Sequence, residues 1–479
     1  MNLKKQAVSS IFWSSIQQFG TQGISFIVSI ILARALLPAE FGLIAMLTIF
    51  ISLGTSLVDS GLTQSLIRTR DLDEDDYSTV FYFNLAGSVV VYLIAFFLAP
   101  FISRFYNQAL LTPILRLYTV TFVINAFAAI QNTRLIKKMD FKTQTKVAIP
   151  SLILGSTVGL ILAFNNYGVW SLVWSNIAQS LAMTMQLIFW SKWIPGFVFN
   201  LKKFKHHFHF GMKLMFSGVL DIIYTNIYTI VIGKFFAPSQ LGYYNRADTL
   251  QMLPVGNLNA IITKVSFPLF SSIQNDDIKL KIVYKKIMQM VLFVITPTLV
   301  LMGVMAEPMF RLLFTDKWLP AVPYFQILCI NGILYPIHSY NLQILNVKGR
   351  SDLFLKLEVI KKILGVAVII VSFQYGIFGL LYGSVITSIL CFFINTHYGG
   401  RFLDYPSWEQ IKDIVPILLL SFLLGFSGHV LDNILKNHQF PDLFRLLIGG
   451  FIGVILYLSM AYIFKMSTLN EIIKLIKNR

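Results

Sequence analysis

The sequence predicts an all-α integral membrane protein of about 14 transmembrane helices, built on an internal duplication. Three observations predict it. The 479 residues are 56% hydrophobic and only 13% charged, against roughly 25% charged in an average soluble domain. Apolar stretches of bilayer length recur from end to end. LARALLPAEFGLIAM at 32–46 returns 200 positions later as IGKFFAPSQLGYYNR at 232–246. Pro38 aligns with Pro238, Gly42 with Gly242 and Arg34 with Lys234. A loop repeated between long apolar flanks marks a duplicated membrane bundle, and transporters are often built this way.

The expected spans lie at 11–33, 41–61, 79–102, 113–132, 147–165 and 168–190 in the first half. In the second half they lie at 211–236, 246–272, 287–306, 320–345, 358–373 and 376–397, with two more at 414–431 and 444–464. Two junctions are tight hairpins, NNYG at 165–168 and QYGI at 373–376. The basic stretch NLKKFKHHFHF at 200–210 reads as an interfacial linker between the halves. The tail from Thr468 has a capping-box pattern with Glu471, then Ile472, Ile473, Leu475 and Ile476 between lysines, and reads as an amphipathic helix. The expected parts are residues 1–199, linker 200–210, residues 211–400, two further helices in 401–466, and tail 467–479.

Basic residues set the orientation. With the N-terminus in the cytoplasm, 28 of the 39 Lys and Arg fall on cytoplasmic segments, 8 on external ones and 3 inside helices. This bias predicts an even number of spans with both termini inside. The net charge of +17 then reflects topology beside an anionic membrane rather than nucleic-acid binding. The acidic run Asp71, Asp73, Glu74, Asp75, Asp76 reads as a solvated cytoplasmic loop. Cys329 and Cys391 both lie in apolar runs, so no disulfide framework is expected. Gln17, Gln18 and Gln22 make the first apolar run too polar for a signal-peptide core.

Polar groups inside spans are expensive and mark candidate sites. In 246–272, Arg246 and Lys264 are 18 residues apart, five helical turns, and share a face with Asn257. Pro254 between them should bend the helix. Such a stripe suits an anionic group; snorkelling or pairing with Asp248 or Asp221 is the alternative. In 211–236, Asp221, Thr225 and Tyr228 lie on nearly one face. The first span carries Gln18, Thr21 and Ser25, and the 200-residue offset places Thr21 on Asp221 and Ser25 on Thr225. Both stripes are expected to line a cavity; polar helix packing would look the same. Asp221 is a candidate proton or sodium site, or a counter-ion to Lys213 or Arg246. Arg34 and Lys234 sit past the outer ends of the first helices of each half, as anion guides or interfacial anchors. His206, His207 and His209 have no carboxylate near them in sequence, so no metal site is expected. No phosphate loop, acid–base pair or nucleophile motif occurs, which argues against a built-in ATPase.

The first motif and the run LGYYNRADTLQMLPVGNLNAIITKVSFPLFSSIQND resemble the polysaccharide flippases of the multidrug/oligosaccharidyl-lipid/polysaccharide exporter superfamily. The branch resembled includes the colanic-acid and O-antigen exporters, and the resemblance covers about residues 1–400. It implies two pseudo-symmetric six-helix lobes plus two C-terminal helices, opening alternately to either side. It implies a polyprenyl-diphosphate-linked oligosaccharide as substrate, and places Arg246 in a YxRA-like motif. The multidrug branch relies on acidic cation sites, and Thr21 stands where such an acid would repeat.

The expected function is flipping of lipid-linked repeat units across a bacterial inner membrane for polysaccharide synthesis. No cofactor is expected beyond a coupling H+ or Na+. The expected partners are membrane lipids, a polysaccharide polymerase and glycosyltransferases, and no nucleic acid. A cation-coupled multidrug exporter is the first alternative. A membrane polymerase or ligase is the second, though such enzymes need a sizeable external loop and this chain has none above about 15 residues.

Overall fold

The computed structural model describes residues 3–477, and every described regular element is helical. In order they are α1 (Leu3–Ala35), α2 (Pro38–Asp59), α3 (Leu62–Arg68), α4 (Glu74–Tyr106), α5 (Leu111–Tyr118), α6 (Val120–Lys137), α7 (Phe141–Phe164), α8 (Val169–Ser191), α9 (Leu201–Thr225) and α10 (Ile227–Phe235). There follow α11 (Pro238–Ser272), α12 (Asp277–Val304), α13 (Ala306–Phe314), a 3-10 turn at Asp316–Ala321, α14 (Val322–Val347), α15 (Ser351–Ser372), α16 (Gly376–Arg401), α17 (Ser407–Asn437), α18 (Asp442–Ile463) and α19 (Ser467–Lys477). The expected tail residues Asn478 and Arg479 lie outside the described residues, as do the side chains of Leu475 and Ile476.

Among the described residues ten stretches are long and apolar enough to cross a membrane, eleven if the bent pair α9–α10 is one span. The expected number was 14. One stretch, Ser351–Arg401, runs through both α15 and α16 and so holds two of the expected spans. The two others outside the set are α8, rich in Ser, Asn and Gln, and α11, which carries Arg246, Asp248 and Lys264. Two expected spans are interrupted. Thr119 separates α5 from α6, and its hydroxyl donates back to Leu115 O at 2.8 Å. Thr225 and Asn226 likewise donate to Asp221 O and Ile222 O, where α9 turns by 47° into α10. Side chains that bond the preceding turn compete with the helix ladder and bend it.

The chain divides into two compact units, Met1–Gly242 and Tyr243–Arg479. In the first, α7 packs between α1 and α8. Gly155 and Gly159 let α7 approach Ser175 and Gln179 of α8, and Ser175 Oγ donates to Gly155 O at 2.9 Å. A cluster of Leu62, Leu66, Tyr77, Val80, Phe81, Ile130 and Trp193 joins α3, α4 and α6. The two motif copies meet here. A Cβ on Gly42 would fall inside the van der Waals envelope of Pro238 O, and one on Gly242 inside that of Pro38 O. The contact is reciprocal, backbone against backbone.

In the second unit α12 packs on α14 and α17, and α14 on α16. Its fully buried side chains include Trp318, Tyr284, Tyr340, Tyr405, Phe310, Phe314 and Phe325. The last two long helices are tied by Arg445 of α18, whose Nε and Nη2 donate to the two oxygens of Asp432 on α17 at 2.8 and 2.7 Å. Arg445 also bonds Asp442, while Asp442 faces Arg311 and Glu307 holds both Arg311 and Lys436. Arg311, Lys436 and Arg445, three of the basic residues expected on the external side, are thus members of one ionic cluster. In α19 the helix starts at Ser467, one residue ahead of Thr468. Glu471 accepts from Lys286 of α12 at 3.0 Å.

Candidate functional site

In the first unit, Gln18 and Ser25 of α1 are exposed and Thr21 is half-buried. Thr21 donates to Gln17 O at 2.7 Å, so its hydroxyl serves its own helix. On α9, Asp221 and Thr225 are exposed, and Tyr228 of α10 is half-buried beyond the break. The break re-aims Tyr228 relative to Asp221, which a straight helix would have aligned. Arg34 is exposed. Lys234 lies with its ammonium 4.8 Å from the Phe105 ring centroid and donates to Phe105 O, in the last turn of α4. An ammonium there meets the partial negative charge of a helix C-terminus, the geometry of an anchor.

In the second unit the three stripe residues of α11 have different surroundings. Arg246 is buried, its guanidinium carbon 5.1 Å from the Phe314 ring and 5.3 Å from that of Trp318. Asn257 is half-buried and Lys264 exposed. An arginine laid on aromatic faces is oriented by cation–π attraction and can still present its fork of donors. Five residues past Arg246 the side chain of Gln251 packs against Gly332 of α14, and further along the helix Ser266 donates to Gln343 at 2.9 Å.

Three polar clusters escaped sequence reasoning. The acidic run is only in part a solvated loop: Asp71, Asp73 and Glu74 are exposed, but α4 starts at Glu74 and Asp76 is buried. Asp73 caps α4 through the N–H groups of Asp75 and Asp76 and holds Lys203. The Lys203 ammonium, with the cap bonds after it, keeps the Asp73 carboxyl down at about 2. Glu74 receives Arg134 and the Trp193 indole N–H, both at 2.6 Å. Asp76 is buried, and its Oδ1 lies 3.2 Å from His207 Nε2. Thus one of the three linker histidines does have a carboxylate, from 131 residues earlier in the chain. Among the described residues no group of three or more His, Cys, Asp or Glu could hold a metal. The second cluster is a seam between α14 and α16: Asn331 donates to Ser384 at 2.6 Å, and His338 bonds Ser388 at 2.9 Å and Asn395 at 3.2 Å. The third is the ionic cluster around Arg445. The only sequence signal for the first was opposite charge: five acids and a basic linker on the same expected side of the membrane.

These side chains can bind, orient and carry charge. Comparison with known proteins points the same way. A family described as "Polysaccharide biosynthesis protein" matches residues 31–323. The lipopolysaccharide biosynthesis protein WzxC of Escherichia coli K12 is 26% identical over 436 residues, 89% of each chain. The teichuronic acid biosynthesis protein TuaB of Bacillus subtilis 168 is 28% identical, over 74% of this chain and 73% of its own. Among solved structures, the lipid II flippase MurJ in an inward closed conformation superposes with a TM-score of 0.75 at 16% identity, over 95% of this chain and 98% of that one. An inward-facing multidrug MATE transporter gives 0.57 at 13% identity, over 82% and 99%.

Proposed function

We propose a transport function for this chain, which belongs to the polysaccharide biosynthesis protein family: it is a flippase that moves polyprenyl-diphosphate-linked oligosaccharide repeat units from the inner to the outer leaflet of a bacterial cytoplasmic membrane. The observation that carries this reading is the family match over 31–323, which takes in both copies of the motif. Two relatives named for lipopolysaccharide and teichuronic acid synthesis support it.

The physical task fits the residues. A diphosphate cannot cross hydrocarbon bare, and a basic side chain in a wet site replaces its hydration with charge-assisted hydrogen bonds. Arg246, steadied by Phe314 and Trp318, is the proposed diphosphate contact, with Lys264 and Asn257 further along α11. Gln18, Thr21, Ser25, Thr225 and Tyr228 would offer hydrogen bonds to sugars. A coupling H+ or Na+, with Asp221 as a candidate carrier, would drive the cycle. Both termini would face the cytoplasm, and the expected six-helix lobes, 1–199 and 211–400, would alternate in access. A polymerase and glycosyltransferases would act after and before it.

The test uses purified protein in liposomes holding a fluorescent polyprenyl-diphosphate oligosaccharide, with a quencher added outside. Faster loss of the protected fluorescence than in empty liposomes is expected. A rate equal to that of empty liposomes, together with gradient-driven movement of organic cations, would sink the reading and install the multidrug alternative.

A further inference from the structure

The start of α9 is fastened to α3 and α4 by more contacts than a surface linker needs. Gly211 meets the turn at Ser60 and Gly61 so closely that a Cβ would strike Ser60 O, and Gly61 itself has φ +67°. Phe204 and Phe208 pack on Phe83 at ring distances of 4.7 and 5.5 Å. Within this contact His207 is completely buried. Its Nδ1 is 2.8 Å from Ser65 Oγ and its Nε2 is 3.2 Å from Asp76 Oδ1. Ser65, His207 and Asp76 do not make a hydrolytic triad. The serine is on Nδ1 and the carboxylate on Nε2, and all three are buried, with no space for a substrate.

The partners fix the neutral tautomer. Asp76 can only accept, so Nε2 carries the hydrogen and Nδ1 accepts from the Ser65 hydroxyl. Every polar group is then satisfied. A second proton has one place to go, Nδ1, and it would turn the Ser65 hydroxyl from donor to acceptor. It would also put a full charge where water does not reach, which burial opposes. The surrounding charges divide. From α9 come Lys203 and His206, from α6 Lys137, and from α4 Asp73 and Asp76. The single charge on α3, Arg68, lies over the Phe210 ring. Asp76 favours the proton, but its other oxygen is 3.4 Å from Lys203 and accepts from Asp73 N–H at 3.1 Å. Lys137 is fixed on Leu66 O and Thr69 O, on the side of α3.

We propose that His207, held between Asp76 and Ser65, is a proton-binding site at the face expected to be cytoplasmic, and that taking up a proton there releases the start of α9 from α3 and α4. The proton comes from water and goes to Nδ1; the hydrogen bond from Ser65 to Nδ1 is the only one that must break. The released imidazolium gains the hydration that the packed position denies it. Its link to transport rests on the flippase reading, because the same helix, α9, carries Asp221 further along.

Hydrogen exchange of the whole protein in lipid nanodiscs tests the site without substrate. After correction for intrinsic exchange, protection of amides 201–211 should fall on acidification from pH 7.5 to 5.5, by up to about tenfold per pH unit below the imidazole range. His207→Gln should abolish the transition, and His206→Gln should leave it in place. Asp76→Asn removes the carboxylate in contact with the imidazole, which favours the proton in the packed position, so it should move the transition to higher pH; this variant decides the matter if His207→Gln fails to fold. A pH-independent wild type, a transition that survives His207→Gln, or no upward shift in Asp76→Asn overturns the proposal. Exchange that behaves as expected in a protein that moves no lipid-linked oligosaccharide would keep the proton site and remove the flippase reading instead.

Discussion

Asp432→Ala tests how the last two long helices are held. Arg445 is 2% exposed and Asp432 6%, and two hydrogen bonds of 2.8 and 2.7 Å join them. Removing one member of a buried pair strands the other, at a cost of about 3–5 kcal/mol. Asp442 keeps one bond to Arg445 at 2.8 Å, which places the expected cost at the lower end, about 3 kcal/mol. For a unit of this size that corresponds to a fall in Tm of roughly 6–12 °C. Cys329 and Cys391 are both buried, so a thiol-reactive fluorescent dye reads unfolding in detergent directly. Asp432→Leu combined with Arg445→Met should recover most of the loss, because an apolar pair of similar volume has no stranded charge. A fall of less than about 2 °C for Asp432→Ala, or a double variant as weak as the single one, would refute the reasoning.

Glu307 lies in α13 between two spans, and its carboxyl is held below the ordinary 4.5 by the hydrogen bond from Lys436 and then by Arg311. Its contribution is complete above the ordinary glutamate range and fades as pH falls through the lowered value, so thermal stability should decline below about pH 4.5, and less steeply in Glu307→Gln. Gly42→Ala puts a methyl against the Pro238 carbonyl and should destabilise by about 1–3 kcal/mol in the same dye assay, whereas Gly87→Ala, with nothing within 4 Å, should be neutral or stabilising. Arg246→Ala should slow flipping by about 10- to 150-fold, the loss of a charge-assisted bond worth roughly 1.5–3 kcal/mol, and Arg246→Lys should recover only part; full flipping by the alanine variant at matched expression would exclude the role.

The long helices were legible because bilayer-length apolar runs and the hairpins at 165–168 and 373–376 are local features. The breaks at Thr119 and Asn226 were less so: each depends on a hydroxyl or amide turning back on its own helix, which composition does not reveal. Placing Arg246, Asn257 and Lys264 on one line follows from helix geometry. Their unlike surroundings do not, since the aromatic wall at Phe314 and Trp318 is about 70 residues from Arg246. The pairing of the acidic run and the burial of Asp76 were not legible for the same reason. Its partners Lys203 and His207 come some 130 residues later, and charge counted locally looks solvated.

The reciprocal seating of Gly42 on Pro238 O and Gly242 on Pro38 O bears on the history of the molecule. After a gene duplicates, its two copies usually drift apart, each adjusting its side chains to its own neighbours. Here neither glycine faces a side chain that could shrink. Each faces a carbonyl of the other copy, so a substitution in one can be accommodated only by moving the backbone of the other. Each copy therefore acts as the purifying constraint on its twin. The proline–glycine spacing should remain as a trace of the ancestral half-length protein after the surrounding sequence has lost its similarity.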